Sequence, residues 1–281
     1  GIDREVLSGT SGATRQNEAS LYLKALNLGN EAKGVVKNTA LDIRRYKKLK
    51  LFVHAEDVRS GSLSNNIDPD AKFFIRLGSD ATDNYYEYEA SLRYTPSTAT
   101  ATADIWPDDN MVDLDISNIV DAKMQRDQEA SSLLNYRYYY PNYGDENKKL
   151  YVKGRPSLGN VTTVMIGVRN MSSTSKDLVL WVDEVRLSGI DNEGGYAGNA
   201  SLTFNLGDFA QVNANAAYSS VGWGSIDQTP SERSQSDNST INVNTTVNVD
   251  KFLPEKSGMK IPLNYSYSQT IEDPKYNPLD T

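Results

Sequence analysis

The sequence predicts a mainly β chain in two parts. Residues 20–190 are expected to form an antiparallel β-sandwich of jelly-roll or galactose-binding-like type with one short helix. Residues 191–281 are expected to supply amphipathic antiparallel strands of a transmembrane β-barrel wall, and 1–19 read as a lead-in segment. Three observations predict this. Apolar residues recur at every second position in run after run, the period of a strand with two unlike faces. One run alone has helical spacing. Composition changes at the flexible corner Asp191-Asn192-Glu193-Gly194-Gly195, with mixed, core-forming segments before it and thin Asn- and Ser-rich segments after it.

Composition narrows the function classes. The 281 residues suffice for one large or two ordinary domains. Hydrophobic content is 38% and mean hydropathy −0.56, but 17 tyrosines in periodic runs argue against disorder. A net charge of −8 and a pI near 4.8, with no basic block, disfavour nucleic-acid binding, which needs clustered Lys and Arg to neutralise phosphate. Cysteine is absent, which removes disulfides, thiolate nucleophiles and Cys-based zinc sites. The chain opens at Gly1 without the charged and apolar regions of a signal peptide and stops at Asn277-Pro278-Leu279-Asp280-Thr281 in mid-motif, so it is expected to be a fragment of a longer protein. No 18-residue apolar run predicts a spanning helix.

Taken in order, Leu21–Leu28 alternates as a strand, and Gly29–Ala40 reads as a turn and a short strand. Asp42–Lys50 holds Arg44, Arg45, Lys47, Lys48 and Lys50, read as a solvated loop before a strand, with a surface for an acidic partner as the sharper alternative. Leu49–Ala55 is a strand that carries His54, the only histidine. With no second His or Cys beside it, a structural role is expected for His54 rather than a metal or nucleophilic one. Ser60–Ala71 reads as a loop, followed by strands at Lys72–Gly78 and Tyr85–Tyr94 and a low-complexity loop at Thr95–Ala103. A short strand is expected at Asn110–Leu114. From Asp115, a plausible N-cap, Ile116, Ile119, Val120 and Met124 fall at helical spacing, predicting a helix near 116–128. Tyr136–Tyr143 is aromatic. Leu150–Gly154 and Val161–Arg169 are strands around the turn Pro156–Asn160.

The last strand of this half is Leu178–Asp191. Val179, Trp181, Asp183, Val185 and Leu187 are expected on one side, and Leu180, Val182, Glu184 and Arg186 on the other. Trp181 is expected in the sandwich core or at its edge.

Beyond the corner, Leu202, Phe204 and Leu206 alternate with Ser201, Thr203 and Asn205. Val212, Ala214, Ala216 and Tyr218 alternate with Gln211, Asn213 and Asn215. After a polar loop at Ser225–Ser239, Ile241 to Val249 and Ile261 to Tyr267 repeat the pattern. Strands near ten residues, apolar on one face and uncharged polar on the other, are the signature of a barrel wall between lipid and a wet lumen. The charged segment Asp250–Lys260 then reads as a turn outside the bilayer.

Candidate sites are few. Tyr85, Tyr86, Tyr88 and Trp106 could stack a sugar, against the plainer reading that one face of their strand fills the core. Asp80 and Asp83, with Asp104, Asp108 and Asp109, could hold calcium, although their spacing fits no EF-hand-like loop. No nucleophile elbow or acid–base pair emerges, so no enzyme activity, catalytic residue, metal or cofactor is expected.

The stretches NEASLYLKALNL, RRYKKLKLFVHAED, FFIRLGSDATDNYYEYEASL, LGNVTTVMIGVRN, WVDEVRLSGIDNEGGYAGNASL, KFLPEKSGMKIP and PKYNPLD resemble, in this order and over essentially the whole chain, the SprA (Sov) family of gliding-motility cell-surface proteins. The loop Ser60–Asp70 departs from the resemblance. The resemblance implies a very large single-chain outer-membrane β-barrel of Bacteroidetes, the translocon of the type IX secretion system, of which this chain would be an internal segment. Implied partners are secreted cargo proteins, a barrel-type shuttle protein, a periplasmic plug protein and outer-membrane lipid; no catalytic residue carries over. The competing expectation is an extracellular carbohydrate- or calcium-binding β-sandwich module.

Overall fold

The computed structural model describes residues 20–59, 66–129, 131–191, 193–228 and 232–276. The predicted lead-in at 1–19, the first half of the loop predicted at Ser60–Ala71, and the end from Asn277 lie outside the described residues. The chain divides into two compact units that meet between Ile190 and Asp191.

Among the described residues the first unit holds ten antiparallel strands: β1 (Leu21–Leu28), β2 (Ala32–Leu41), β3 (Lys48–Asp57), β4 (Ile67–Gly78), β5 (Tyr85–Arg93), β6 (Val112–Asp115), β7 (Tyr138–Tyr140), β8 (Lys148–Lys153), β9 (Val161–Asn170) and β10 (Lys176–Ser188). They form a four-stranded sheet, β1-β10-β3-β6, and a six-stranded sheet, β2-β9-β4-β5-β8-β7, arranged as a sandwich. Alternation explains the core. Leu49, Leu51, Val53 and Ala55 of β3 share one buried cluster with Phe73, Ile75 and Leu77 of β4 and with Tyr86, Tyr88, Ala90 and Leu92 of β5. Each large apolar side chain fully removed from water there contributes roughly 1.5–3 kcal/mol.

Among the described residues two α-helices accompany the sheets. The short α1 (Thr102–Ile105) lies at the end of the segment predicted as loop, and α2 (Ile116–Glu129) fulfils the helical spacing. Its buried face is Ile116, Ile119, Ala122, Lys123 and Arg126. Met124, expected on that face, is 47% exposed. Lys123 and Arg126 replace it because their cations cap backbone carbonyls: Lys123 Nζ donates to Pro156 O at 2.9 Å and Arg126 donates to Gly154 O at 2.6 Å. A buried charge with a hydrogen-bond partner is tolerated where a bare one is not.

Strand β10 corrects a second expectation. Its inward residues are Leu178, Leu180 and Val182, opposite Asp57, Ala55 and Val53. Between Asp183 and Arg186 the register gains a residue, and Glu184 takes a φ of 50°. This β-bulge inverts the parity, so Leu187, opposite Leu49, packs against the core while Val185 is exposed. Trp181 accordingly lies on the outer face of the four-stranded sheet, half-buried, rather than between the sheets.

Strand β4 starts earlier than predicted because its turn residues build an irregularity inside the strand. Asp68 Oδ1 accepts the backbone N–H groups of Asp70 and Ala71, its Oδ2 accepts the Tyr94 hydroxyl at 2.7 Å, and pairing to β5 resumes at Lys72.

The second unit is an antiparallel meander: β11 (Ala197–Leu206), β12 (Ala210–Ser219), β13 (Ser236–Asn248) and β14 (Pro262–Pro274), paired in that order as an open sheet. The predicted polar loop Ser225–Ser239 yields its last residues to β13, and Val249 leaves the strand for a 3-10 turn, Val249–Phe252. No helix among the described residues is long and apolar enough to cross a membrane.

Candidate functional site

The cross-strand register of the second unit sorts its side chains into two unlike faces. On one face the rows read Ala200–Ala216–Ile241–Gln269, Leu202–Ala214–Val243–Tyr267, Phe204–Val212–Thr245–Tyr265 and Leu206–Ala210–Val247–Leu263. These rows are apolar apart from Thr245 and Gln269. Leu202 is 57% exposed and Leu263 59%, so most of this face is uncovered among the described residues, Ala210 at one end being buried. A contiguous uncovered apolar surface of this kind marks a contact with lipid or protein.

The opposite face carries Asn199–Ala217–Thr240–Thr270, Ser201–Asn215–Asn242–Ser268, Thr203–Asn213–Asn244–Ser266 and Asn205–Gln211–Thr246–Asn264, four rows without one charged side chain, and the next row, Ala197–Ser219–Asn238–Glu272, ends in a carboxylate. Amides and hydroxyls bridge neighbouring strands there. Thr203 donates to Asn213 at 3.0 Å, Thr246 to Asn264 at 2.8 Å and Ser268 to Asn242 at 2.7 Å. Each donor also keeps capacity for water.

Charges and aromatic rings gather at the two ends. At one end Lys251 pairs with Asp208 at 3.1 Å, and Phe209 meets Phe252 edge-on with centroids 5.0 Å apart. At the other, Lys275 pairs with Asp191, and Tyr196 and Tyr218 lie 5.7 Å apart.

In the first unit the four aromatics singled out in the sequence do not form one platform. Tyr86 and Tyr88 are buried in the inter-sheet core. Tyr85 lies on the other face of β5, buried under the Arg76 guanidinium at 4.2 Å. Trp106 belongs with His54, 5.8 Å away. That pair ends an aromatic row missed in the sequence, because its members come from distant strands: Tyr22, Trp181 and His54 are direct cross-strand neighbours, with ring centroids 5.1 and 4.8 Å apart. His54 is buried, its Nδ1 2.8 Å from Ile105 O and its Nε2 3.2 Å from Glu56.

Three of the five acidic groups singled out in the sequence, Asp80, Asp83 and Asp109, have structural employment. Asp80 Oδ1 accepts the backbone N–H groups of Thr82, Asp83 and Asn84, and its Oδ2 the Asn84 amide. Its slight burial is outweighed by these bonds, which hold the carboxyl far below its ordinary pKa. Asp83 pairs with Lys153 at 3.0 Å and Asp109 with Arg93. Among the described residues no cluster of three His, Asp or Glu is placed to hold a metal ion. In the basic segment, Arg44 pairs with Asp42 at 2.8 Å, and Lys48 and Lys50 with Asp113 at 2.9 and 3.5 Å.

A buried polar cluster was not foreseen. On the outer face of the six-stranded sheet, Glu87 is wholly buried and accepts from Arg76 at 2.5 Å, from Arg169 at 3.2 Å and from Arg137. Glu89 accepts from Arg137 at 2.7 Å and from Arg169. Arg137 also lies 3.2 Å over the Tyr151 ring. Burial alone would raise the Glu87 carboxyl; Arg137, Arg169 and Arg76 overcome it and hold the group below its ordinary value. The signal was present as two glutamates at alternate positions of a strand whose other face is apolar.

A family model described as motility related/secretion protein matches residues 1–281. No curated protein matches the chain.

Proposed function

We propose, from the premise that this chain belongs to the SprA_N family of motility-related and secretion proteins, that its second unit is part of the wall of an outer-membrane β-barrel serving as the translocon of the type IX secretion system. One observation carries this reading: the sheet has a bare apolar face and a charge-free polar face, with charges and aromatic rings collected at its two ends. Lipid suits the first face and water the second, while interfacial aromatics suit the ends. The dimensions agree. Strands β11 and β12 have ten residues each. At ~3.4 Å per residue and a ~40° tilt they rise about 26 Å, against roughly 25 Å for the apolar band of such barrels.

On this reading the chain is a non-enzymatic structural segment at the outer membrane and cell surface. Its partners are secreted cargo proteins, a barrel-type shuttle protein and a periplasmic plug protein. The first unit, a jelly-roll or galactose-binding-like sandwich by its short antiparallel strands in two sheets, accompanies the wall. A carbohydrate- or calcium-binding role for that sandwich has less support, since its candidate aromatics are dispersed and Asp80, Asp83 and Asp109 are already bonded within it.

The test uses the full-length protein. Val243 lies mid-sheet on the apolar face and Asn242 mid-sheet on the polar face. Val243→Arg should impair membrane assembly by about 2–4 kcal/mol near the midplane. Val247→Arg, nearer the end of its strand, should cost less, and Asn242→Arg should be tolerated. Heat-resistant folded protein in outer-membrane fractions gives the measurement. Equal tolerance at Val243 and Asn242 would show that the strands never meet lipid.

A further inference from the structure

At the Tyr196 end of the second unit, the polar face holds a recess of about 440 Å³. That volume lies within the ~300–1,000 Å³ of ordinary small-ligand sites. Its nine lining residues include Trp223, Asn199, Asn238, Thr240, Ser219 and Ala217, and none of the nine is charged. Ala217 sits between Asn199 and Thr240 in one cross-strand row, so the floor is low in the middle and polar on both sides. Trp223 comes from the segment joining β12 to β13 and is 46% exposed.

The backbone that carries this indole is held in place before any ligand arrives. The Gly222 N–H donates to Ser234 O and the Ser234 N–H to Trp223 O, both at 2.8 Å. The Val221 N–H donates to Asp237 at 2.7 Å. A Cβ on Gly195 would strike the Trp223 amide nitrogen and the Gly222 carbonyl carbon, and Gly222 has a φ of 80°, so the two backbones meet in a way that only glycine allows.

We propose that this recess binds one or two rings of a neutral saccharide. A pyranose offers a C–H face to an indole and hydroxyls that both donate and accept, as amides and alcohols do in return. The lining excludes the competing chemistries. An anion finds no cation. An acyl chain would strip water from the amides and hydroxyls. An extended peptide finds no free backbone, because β11, β12 and β13 already pair with one another along the floor. The inference stands on the recess itself and holds whether or not the sheet closes into a barrel.

The test takes the 281-residue chain, isotopically labelled, in lauryldimethylamine oxide micelles, a detergent without sugar. The chain has three tryptophans, giving three indole N–H resonances, with that of Trp223 assigned by Trp223→Phe. Cellohexaose, tetra-N-acetylchitotetraose and an oligogalacturonate are the probes. At least one neutral oligosaccharide should shift the Trp223 resonance saturably and leave Trp106 and Trp181 unmoved. The charged oligogalacturonate should bind at least ten-fold more weakly. The surface variant Asn199→Ala/Thr240→Ala should weaken binding ten-fold or more with the rest of the spectrum unchanged. Absence of a saturable shift with both neutral probes overturns the proposal. So does a response at Trp106 or Trp181 alone, equal binding of the uronate, or undiminished affinity in the double variant.

Discussion

Replacing Glu87 by glutamine tests what the buried arginine cluster contributes. Glutamine keeps the shape and loses the charge. Removing one partner of a buried ion pair costs about 3–5 kcal/mol, because the other charge stays desolvated. Here the loss falls unevenly. Arg137 and Arg169 retain Glu89, whereas Arg76 loses its carboxylate partner and keeps the Ala81 carbonyl at 2.5 Å. The expected cost is therefore at the low end, about 3 kcal/mol. With a urea m-value near 2 kcal/mol/M, the midpoint should fall by roughly 1.5 M. Tryptophan fluorescence in a Trp223→Phe background reports the first unit alone, through Trp106 and Trp181. The pH dependence has a definite sign. The folded carboxyl is held below its unfolded value, so its stabilisation is complete above about pH 5 and is lost as pH falls through 4.5 toward the folded value. Below pH 4.5 the unfolded wild type takes up a proton that the folded carboxylate resists, so the stability difference between wild type and the glutamine variant should shrink as pH falls toward 3. A loss under about 1 kcal/mol at pH 7, or the same loss at pH 3, would refute the reasoning.

Other outcomes follow from burial and close approach. Trp181→Ala should cost about 2–3 kcal/mol, less than the ~3–5 of a core tryptophan, because one side of the ring faces water; chemical denaturation gives the value. In α2, Ile119→Ala should cost roughly 2–5 kcal/mol and Met124→Gln under about 0.5, the reverse of what an apolar stripe through Met124 would give. Gly167→Ala should destabilise by about 1–3 kcal/mol in thermal melts, since its Cβ would lie 2.5 Å from Lys33 O and from the Phe74 ring.

Alternation in the sequence located the strands because burial on one face leaves a period of two. It failed where something local broke the period. Glu184 inserts one residue into β10, and from there on the assigned faces exchange. Asp68 and Pro69 look like loop, yet they shape an irregular strand start that only the Tyr94 and Lys176 partners explain. Helical spacing found α2 but chose Met124 over Arg126, because no sequence period announces a carbonyl waiting at Gly154. Candidate sites were less legible than strands. The Tyr22–Trp181–His54 row and the Glu87–Arg cluster join residues far apart in the chain, and pairing register is what brings them together. The two faces of the second unit were readable at once, since there each strand repeats the same simple alternation.

The charge-free polar face has a consequence for whatever moves across it. Coulomb attraction to that surface has almost no fixed charge to act through, and no counterions wait to be released from it. Adhesion there should change little with ionic strength, and an acidic chain and a basic chain should meet the same surface. A polypeptide sliding past would exchange one neutral hydrogen bond for another of similar strength, row after row, with no deep resting place between Asn205 and Ser201.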